Sequence, residues 1–372
     1  MHRRNADTIT TQHAETRLDE VALVPESEAP ESRVPGRWPT LFSCASEAQQ
    51  GRPKERRPAF LIGTASAACH SPDTLLGDAA VAAFAGAFLG CLTTECLTAF
   101  GIGPDIASAT ATALLCGSLL VTRMTRRFAG AFFPALYGGT FAGMTPIVWL
   151  CDSASGHLAG ACVLSIALSI VCGLAFFVVA KLDTRSAAPI GVGFGGRLGA
   201  IATVASFLFI ALVGPLEKNA GRFHGVGAEA FHIEPWPAIL GFFACLAGTI
   251  VTLATLRQRR IADRGAAQRT FIAAAAALSG LMILQLGHPD DAHIRDAFYA
   301  GCFLGMSTPG RLKGWFQPVL GALMLIVILM PAGAFLNGVG GRLGLAAFVT
   351  VMLLVALCRA TAWTTRGTRT RN

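Results

Sequence analysis

The sequence predicts an all-α polytopic membrane protein of ten transmembrane helices, arranged as two inverted five-helix repeats. Three observations carry that expectation. The 372 residues are 53% hydrophobic and only 14% charged, with a mean hydropathy of +0.55, too apolar for a soluble domain that must cover itself with charge. The apolar part divides into ten runs, each near the ~20 residues a helix needs to cross the ~30 Å hydrocarbon core of a bilayer. Finally, the stretch Tyr137-Gly138-Gly139-Thr140-Phe141-Ala142-Gly143-Met144-Thr145 returns as Tyr299-Ala300-Gly301-Cys302-Phe303-Leu304-Gly305-Met306-Ser307, and these hold the only two tyrosines of the chain.

A second pair of stretches supports the duplication. Gly195-Gly196-Arg197-Leu198-Gly199 opens one apolar run and Gly340-Gly341-Arg342-Leu343-Gly344 opens another. Weaker echoes set Gly117 against Gly280 and Gly160-Ala161 against Gly321-Ala322. Such self-similarity is read before any local feature, because missing it mis-assigns the whole fold. The 41 glycines agree, since helices in lipid associate where small residues let their backbones approach.

Residues 1–75 are polar and rich in Pro, Glu, Ser and Arg, and are expected to form a disordered cytoplasmic tail. Within it, Arg52-Pro53-Lys54-Glu55-Arg56-Arg57 precedes Ala59-Phe60-Leu61-Ile62-Gly63 in the manner of a signal peptide, but too far into the chain to be read as one. The first repeat, 76–215, holds runs at 78–100, 105–122, 128–150, 157–180 and 192–214. The second, 235–360, holds runs at 235–256, 268–286, 292–309, 316–337 and 341–359, and a basic cytoplasmic tail follows at 361–372. Runs this long without alternation suit helices, whereas barrel strands are about half the length and alternate.

Loop charges set an orientation with both termini in the cytoplasm, and the chain is expected in the inner membrane of a bacterium. On that setting the inner loops carry Arg123, Arg126 and Arg127; Lys181 and Arg185; Arg257, Arg259, Arg260, Arg264 and Arg269; and Arg311 and Lys313. The outer loops hold Asp105, Asp152, Asp290 and Asp291, with few basic residues beyond Lys218 and Arg222. This follows the positive-inside rule, and Trp149, Trp236, Trp315 and Trp363 fall where interfacial anchors belong. The arginines are thereby accounted for by the bilayer as partner, and no nucleic acid is implied. An odd number of helices per copy makes the second copy enter from the opposite side, so Arg197 should face the cytoplasm and Arg342 the outside.

Within the tyrosine motifs, Gly139 and Gly143, and Gly301 and Gly305, repeat a G-x-x-x-G spacing that serves close helix packing. Thr145-Pro146 and Ser307-Thr308-Pro309 add a second reading, because a proline ends a helix and frees a carbonyl, and paired broken helices point to a transporter site. On that reading a small-molecule or ion substrate would be bound by Tyr137, Gly139, Thr140, Gly143, Met144 and Thr145 and by Tyr299, Gly301, Cys302, Gly305, Met306 and Ser307. Glu95, inside the first run, is the ion-coupling candidate, since a carboxylate in lipid must face a partner, water or the bundle interior; its counterpart, near Thr249, is not acidic. Arg197 and Arg342 are candidates for a gate or an anion contact, against the simpler role of snorkelling anchors.

Other marked residues have structural readings. Asp105 reads as an N-cap and Asp296 as an acid favoured by a helix dipole. His288-Pro289-Asp290-Asp291-Ala292-His293 presents no helix face with both histidines, so no metal is expected. Of the 11 cysteines, most sit inside apolar runs without paired spacing and read as small apolar residues. No phosphate-binding loop, nucleophile elbow or His-Glu-x-x-His occurs, so neither enzymatic activity nor a cofactor is expected. The function expected is therefore a secondary transporter of a small solute, coupled to a proton or sodium gradient, as monomer or homo-oligomer. A channel, and a membrane component of an envelope-biosynthesis or secretion assembly, are the alternatives.

Overall fold

Among the described residues ten helices account for the regular structure, and their order follows the ten apolar runs. The computed structural model describes residues 72–122, 129–147, 158–186, 191–213, 235–258, 261, 264–289, 291–336 and 338–369. The helices are α1 (Pro72–Ala99), α2 (Pro104–Thr122), α3 (Ala129–Ala142), α4 (Leu158–Arg185), α5 (Arg197–Val213), α6 (Pro235–Arg257), α7 (Ala266–Gly287), α8 (Ala292–Gly305), α9 (Phe316–Phe335) and α10 (Arg342–Arg369). No strand occurs among the described residues. Proline opens α1, α2 and α6, the position where its missing N–H costs nothing. The expected tail at 1–75 lies outside the described residues up to 71, and α1 begins inside its last few positions. The expected basic tail is entered by α10, which runs on to Arg369.

Six helices, α1, α2, α4, α6, α7 and α10, contain stretches long and apolar enough to cross a membrane. Apolar side chains also stand exposed in stripes at helical spacing, as along α4 with Val163, Ile166, Ile170, Leu174, Val178 and Leu182. Soluble monomers rarely leave patches of that extent uncovered. Trp315, at the start of α9, is 80% exposed; Trp149 lies outside the described residues, as do the side chains of Trp236 and Trp363.

Two helices are the shortest among the described residues. α3 and α8 have 14 residues each, about 21 Å at 1.5 Å per residue, against apolar runs extending to 150 and 309. They are also the most enclosed, with 135–143 and 297–305 buried all the way round. α3 packs on α1, and α8 on α6, in the same manner. A Cβ on Gly90 of α1 would lie 3.1 Å from Thr140 N, and one on Gly248 of α6 would lie 3.1 Å from Cys302 N. Gly139 rests on the Ala87 carbonyl as Gly301 rests on that of Cys245. Gly143 faces Thr94 as Gly305 faces Thr252, a Cβ in either case falling 2.8 Å from the threonine Cβ. The G-x-x-x-G spacing thus brings backbone against backbone twice.

These contacts correct one correspondence. Since Gly143 meets Cys91 and Gly305 meets Thr249, Thr249 matches Cys91, and Glu95 matches Leu253. The weaker glycine echoes do not share surroundings: Gly117 faces Phe271, Gly280 faces Phe298, and a Cβ on Gly160 would meet nothing within 4 Å while one on Gly321 would lie 3.2 Å from Leu304.

Candidate functional site at the paired motifs

The two paired stretches meet crosswise. α3 tightens at its end, where Thr145 N donates to Ala142 O at 3.0 Å, and α8 does the same, where Ser307 N donates to Leu304 O at 3.1 Å. Short i-to-i+3 bonds of this kind are common at helix termini. Each ending presents a hydroxyl to the glycine pair of the other half. Gly340 N donates to Thr145 Oγ1 at 3.0 Å, and Gly195 N donates to Ser307 Oγ at 2.9 Å. All four residues are buried, so each hydroxyl satisfies a backbone donor that has no water to turn to.

The next glycines make the turns into α5 and α10. Gly196 and Gly341 have φ of +81° and +83°, the left-handed region that residues with a side chain rarely enter. A Cβ on Gly196 would lie 2.7 Å from Phe348 N and one on Gly341 2.8 Å from Thr203 N. One turn on, α5 and α10 touch: a Cβ on Gly199 would fall 2.5 Å from Gly344 Cα, and one on Gly344 2.6 Å from Gly199 Cα. Both helices begin against each other and against the ends of α3 and α8.

Four aromatic rings fill the space between α3 and α8. Ring centroids stand 4.6 Å apart for Tyr137 and Phe141 and 4.7 Å for Tyr299 and Phe303. Across the pair, Phe141 and Phe303 stand 4.6 Å apart, Tyr137 and Phe303 6.3 Å, and Phe141 and Tyr299 6.2 Å. The matching distances describe a pairing that is symmetric between the two motifs, in the range where tilted and edge-to-face rings attract. Met144 and Met306 are half-buried beside it.

The polar surroundings are not two-fold. Tyr299 Oη lies 3.1 Å from Ser108 Oγ, which donates to Thr140 Oγ1 at 3.0 Å. Thr140 Oγ1 in turn donates to Tyr137 O at 2.8 Å and stands 3.1 Å from Thr112 Oγ1. In the second half, Cys302 replaces Thr140. Tyr137 Oη faces Tyr299 but has no hydrogen-bond partner among the described residues. Ser108, Thr112, Phe141 and Phe303 were not singled out in the sequence; the two phenylalanines lay in the repeated motif, but nothing there marked Ser108 or Thr112 as facing the other half's tyrosine.

Arg197 and Arg342 lie at opposite ends of α8. The turn before Arg197 meets the exit of α8, where Thr308 N donates to Gly193 O at 3.0 Å and Arg311 stacks over Phe194 at 4.3 Å. Arg342 instead pairs with Asp296, in the second turn of α8, at 2.6 Å, while Arg197 makes two 2.7 Å contacts with Asp183 near the end of α4. The roles expected for two aspartates need correction. Asp105 is no N-cap but sits in the first turn of α2 and holds Arg295 at 3.1 Å, and Asp296 is engaged by Arg342 rather than left to a helix dipole. The N-cap of α8 is Asp291, which accepts from Ile294 N at 3.2 Å. No metal-ligand cluster occurs among the described residues.

Glu95 faces α4. It is 5% exposed, its Oε1 accepts from Cys91 Sγ at 3.7 Å, and its Oε2 has no hydrogen-bond partner among the described residues.

What the fold and the paired motifs define is a class, an all-helical protein with apolar spans and a duplicated centre. No protein-family model matches the chain, and comparison with curated proteins and with solved structures finds no similar protein.

Proposed function

We propose that the chain is an integral membrane protein of two inverted five-helix repeats that moves a small solute by alternating access, as an ion-gradient-driven transporter of a bacterial inner membrane with both termini cytoplasmic. The crosswise docking carries this reading: each short central helix ends on a hydroxyl that binds the glycine turn of the other half. Two similar contacts at opposite ends of one centre are what an exchange between two states of nearly equal energy requires, one contact loosening as its counterpart tightens. Paired helices that end inside the bundle, with glycine and hydroxyl residues at the break, are the feature that marks substrate sites in inverted-repeat transporters.

The substrate site of this reading is the region of Tyr137, Gly139, Thr140, Gly143, Met144 and Thr145 together with Tyr299, Gly301, Cys302, Gly305, Met306 and Ser307. In the conformation described, the four rings close it, so a solute is admitted only when α3 and α8 separate. The tyrosine and threonine hydroxyls supply donors and acceptors without a fixed charge, which fits a neutral or zwitterionic solute. Arg197 and Arg342 act on this reading at opposite mouths, each opening when its ion pair breaks.

The test is a thermal-shift screen of purified protein against amino acids, organic acids, sugars and monovalent cations, beside a Tyr137→Phe, Tyr299→Phe double variant. Ligand binding raises the melting temperature by mass action whatever the direction of transport. A shift in the native protein that the double variant loses is the expected result; a shift the variant keeps, or no shift with any solute, counts against the site.

A further inference from the structure

The seam between α1 and α4 holds two buried polar atoms without a hydrogen-bond partner among the described residues. Glu95 Oε2 is one and Ser169 Oγ, on a fully buried residue, is the other. Cys91 stands between them: its Sγ donates to Glu95 Oε1 at 3.7 Å, and the same thiol faces Ser169 and Cys172 of α4. Ser165, one turn before Ser169, also faces the Glu95 carboxyl. No lysine or arginine pairs with Glu95 among the described residues. The ionisable groups near it are thiols alone, Cys91 on its own helix and Cys172 beyond it. Gly143, just past the end of α3, packs against Thr94, and the titratable residue of α3, Tyr137, faces Tyr299, while the ionisable residues of α2 are engaged elsewhere, Asp105 with Arg295 and Cys116 in an apolar cluster with Phe133 and Leu136.

A buried carboxyl without a cation is tolerated when it binds one or takes up a proton, and the neighbouring atoms decide between these. Hard cations are held by cages of several oxygens, whereas the oxygens of Glu95, Ser165 and Ser169 share this seam with the sulfurs of Cys91 and Cys172, which suit soft metals. The protonated acid needs less. Its O–H requires one acceptor and its other oxygen one donor, and the Ser165 hydroxyl together with the Cys91 thiol provides both.

We propose that Glu95 is a proton carrier, its proton resting on Oε2 and accepted by the Ser165 hydroxyl. It rests on the transporter reading only in calling that proton a coupling one. The proton arrives from water on one side, is held as the neutral acid while the seam is closed, and leaves to water on the other, so that one proton taken up is one released. The seam is tied to the centre, because Thr94, next to Glu95, is the residue on which Gly143 packs, two residues before the Thr145 hydroxyl that holds Gly340. Separation of α3 from α1 therefore moves the wall beside the carboxyl. The second half repeats the wall but has Leu253 in place of Glu95, so the site is single.

Infrared difference spectroscopy of the purified full chain in lipid, titrated with acid and base, reads the proton directly. The expected result is a protonated-carboxyl band that is sensitive to deuterium, absent from Glu95→Gln and shifted in Ser165→Ala. Where Glu95→Gln fails to fold, Glu95→Asp, which keeps the group and displaces it, should shift the band. A spectrum unchanged by these substitutions overturns the proposal, as does stabilisation by sodium but not by potassium or choline that is lost in Glu95→Gln. A band assigned to Glu95 in a protein that moves no solute leaves the proton site standing and removes the transporter reading.

Discussion

The α1–α3 and α6–α8 interfaces are the same interface built twice, while the two tyrosine hydroxyls between them are surrounded differently. Gly139 and Gly301, and Gly143 and Gly305, meet matching backbone atoms. Yet Tyr299 has Ser108 at 3.1 Å, and Tyr137 has no hydrogen-bond partner among the described residues. The difference separates what holds the architecture from what was free to diverge. At Gly139 and Gly301, and at Gly143 and Gly305, backbones touch and both halves keep glycine. Where side chains fill the space left over, a threonine in one half is a cysteine in the other.

The sharpest way to break the comparison is to fill one glycine at a time. Gly139→Val and Gly301→Val each drive a branched side chain into a backbone carbonyl of the neighbouring helix, and overpacking costs about 1–3 kcal/mol or more where neither side can move. Both variants should be lost from the monodisperse fraction on gel filtration, to the same extent. A protein that accepts one and not the other would show that the two interfaces are not equivalent.

The crosswise contacts come next in size. Thr145→Val and Ser307→Ala each leave a buried backbone N–H, of Gly340 or Gly195, without its acceptor, a loss of about 1–3 kcal/mol. Thr145→Val should cost more, because Thr145 Oγ1 also stands 3.1 Å from Ser206 Oγ. Melting temperatures in one detergent give the order, and the reverse order would remove Ser206 from the account.

For the tyrosines the two substitutions should differ in sign or nearly so. Tyr299→Phe removes a hydrogen-bonded hydroxyl, worth about 0.5–1.5 kcal/mol. Tyr137→Phe removes a buried hydroxyl with no partner and should be neutral or stabilising. Equal losses would mean that Tyr137 finds a partner in the folded protein. Smallest is the Arg197–Asp183 pair, whose side chains are 20% and 29% exposed; Arg197→Gln should cost about 0–1 kcal/mol, visible mainly at low salt.

The duplication was legible because the repeated glycines are pressed against backbone, where a side chain does not fit, and the repeated aromatic residues fill one shared space. Helix lengths were less so. The runs extend past Ala142 and Gly305 in apolar residues, but Thr145-Pro146 and Ser307 turn the backbone, and hydropathy cannot register a turn. α10 errs the other way, continuing through Arg359, Arg366 and Arg369 because helical backbone does not require apolar side chains. Glu95 was matched to the wrong residue because connections of unequal length shift the correspondence from one helix pair to the next. The pairing of Ser108 with Tyr299, and of Asp105 with Arg295, joins residues from different halves, and no local pattern encodes which loops and helices meet across a bundle.

The central claim, that the halves are inverted across a membrane, is tested most directly by placing single cysteines at Arg197 and Arg342 in a chain freed of its native cysteines. Oriented vesicles are then treated from one side with a membrane-impermeant thiol reagent. The account predicts that Arg197→Cys is modified only from the cytoplasmic side and Arg342→Cys only from the other. Modification of both from the same side would contradict it.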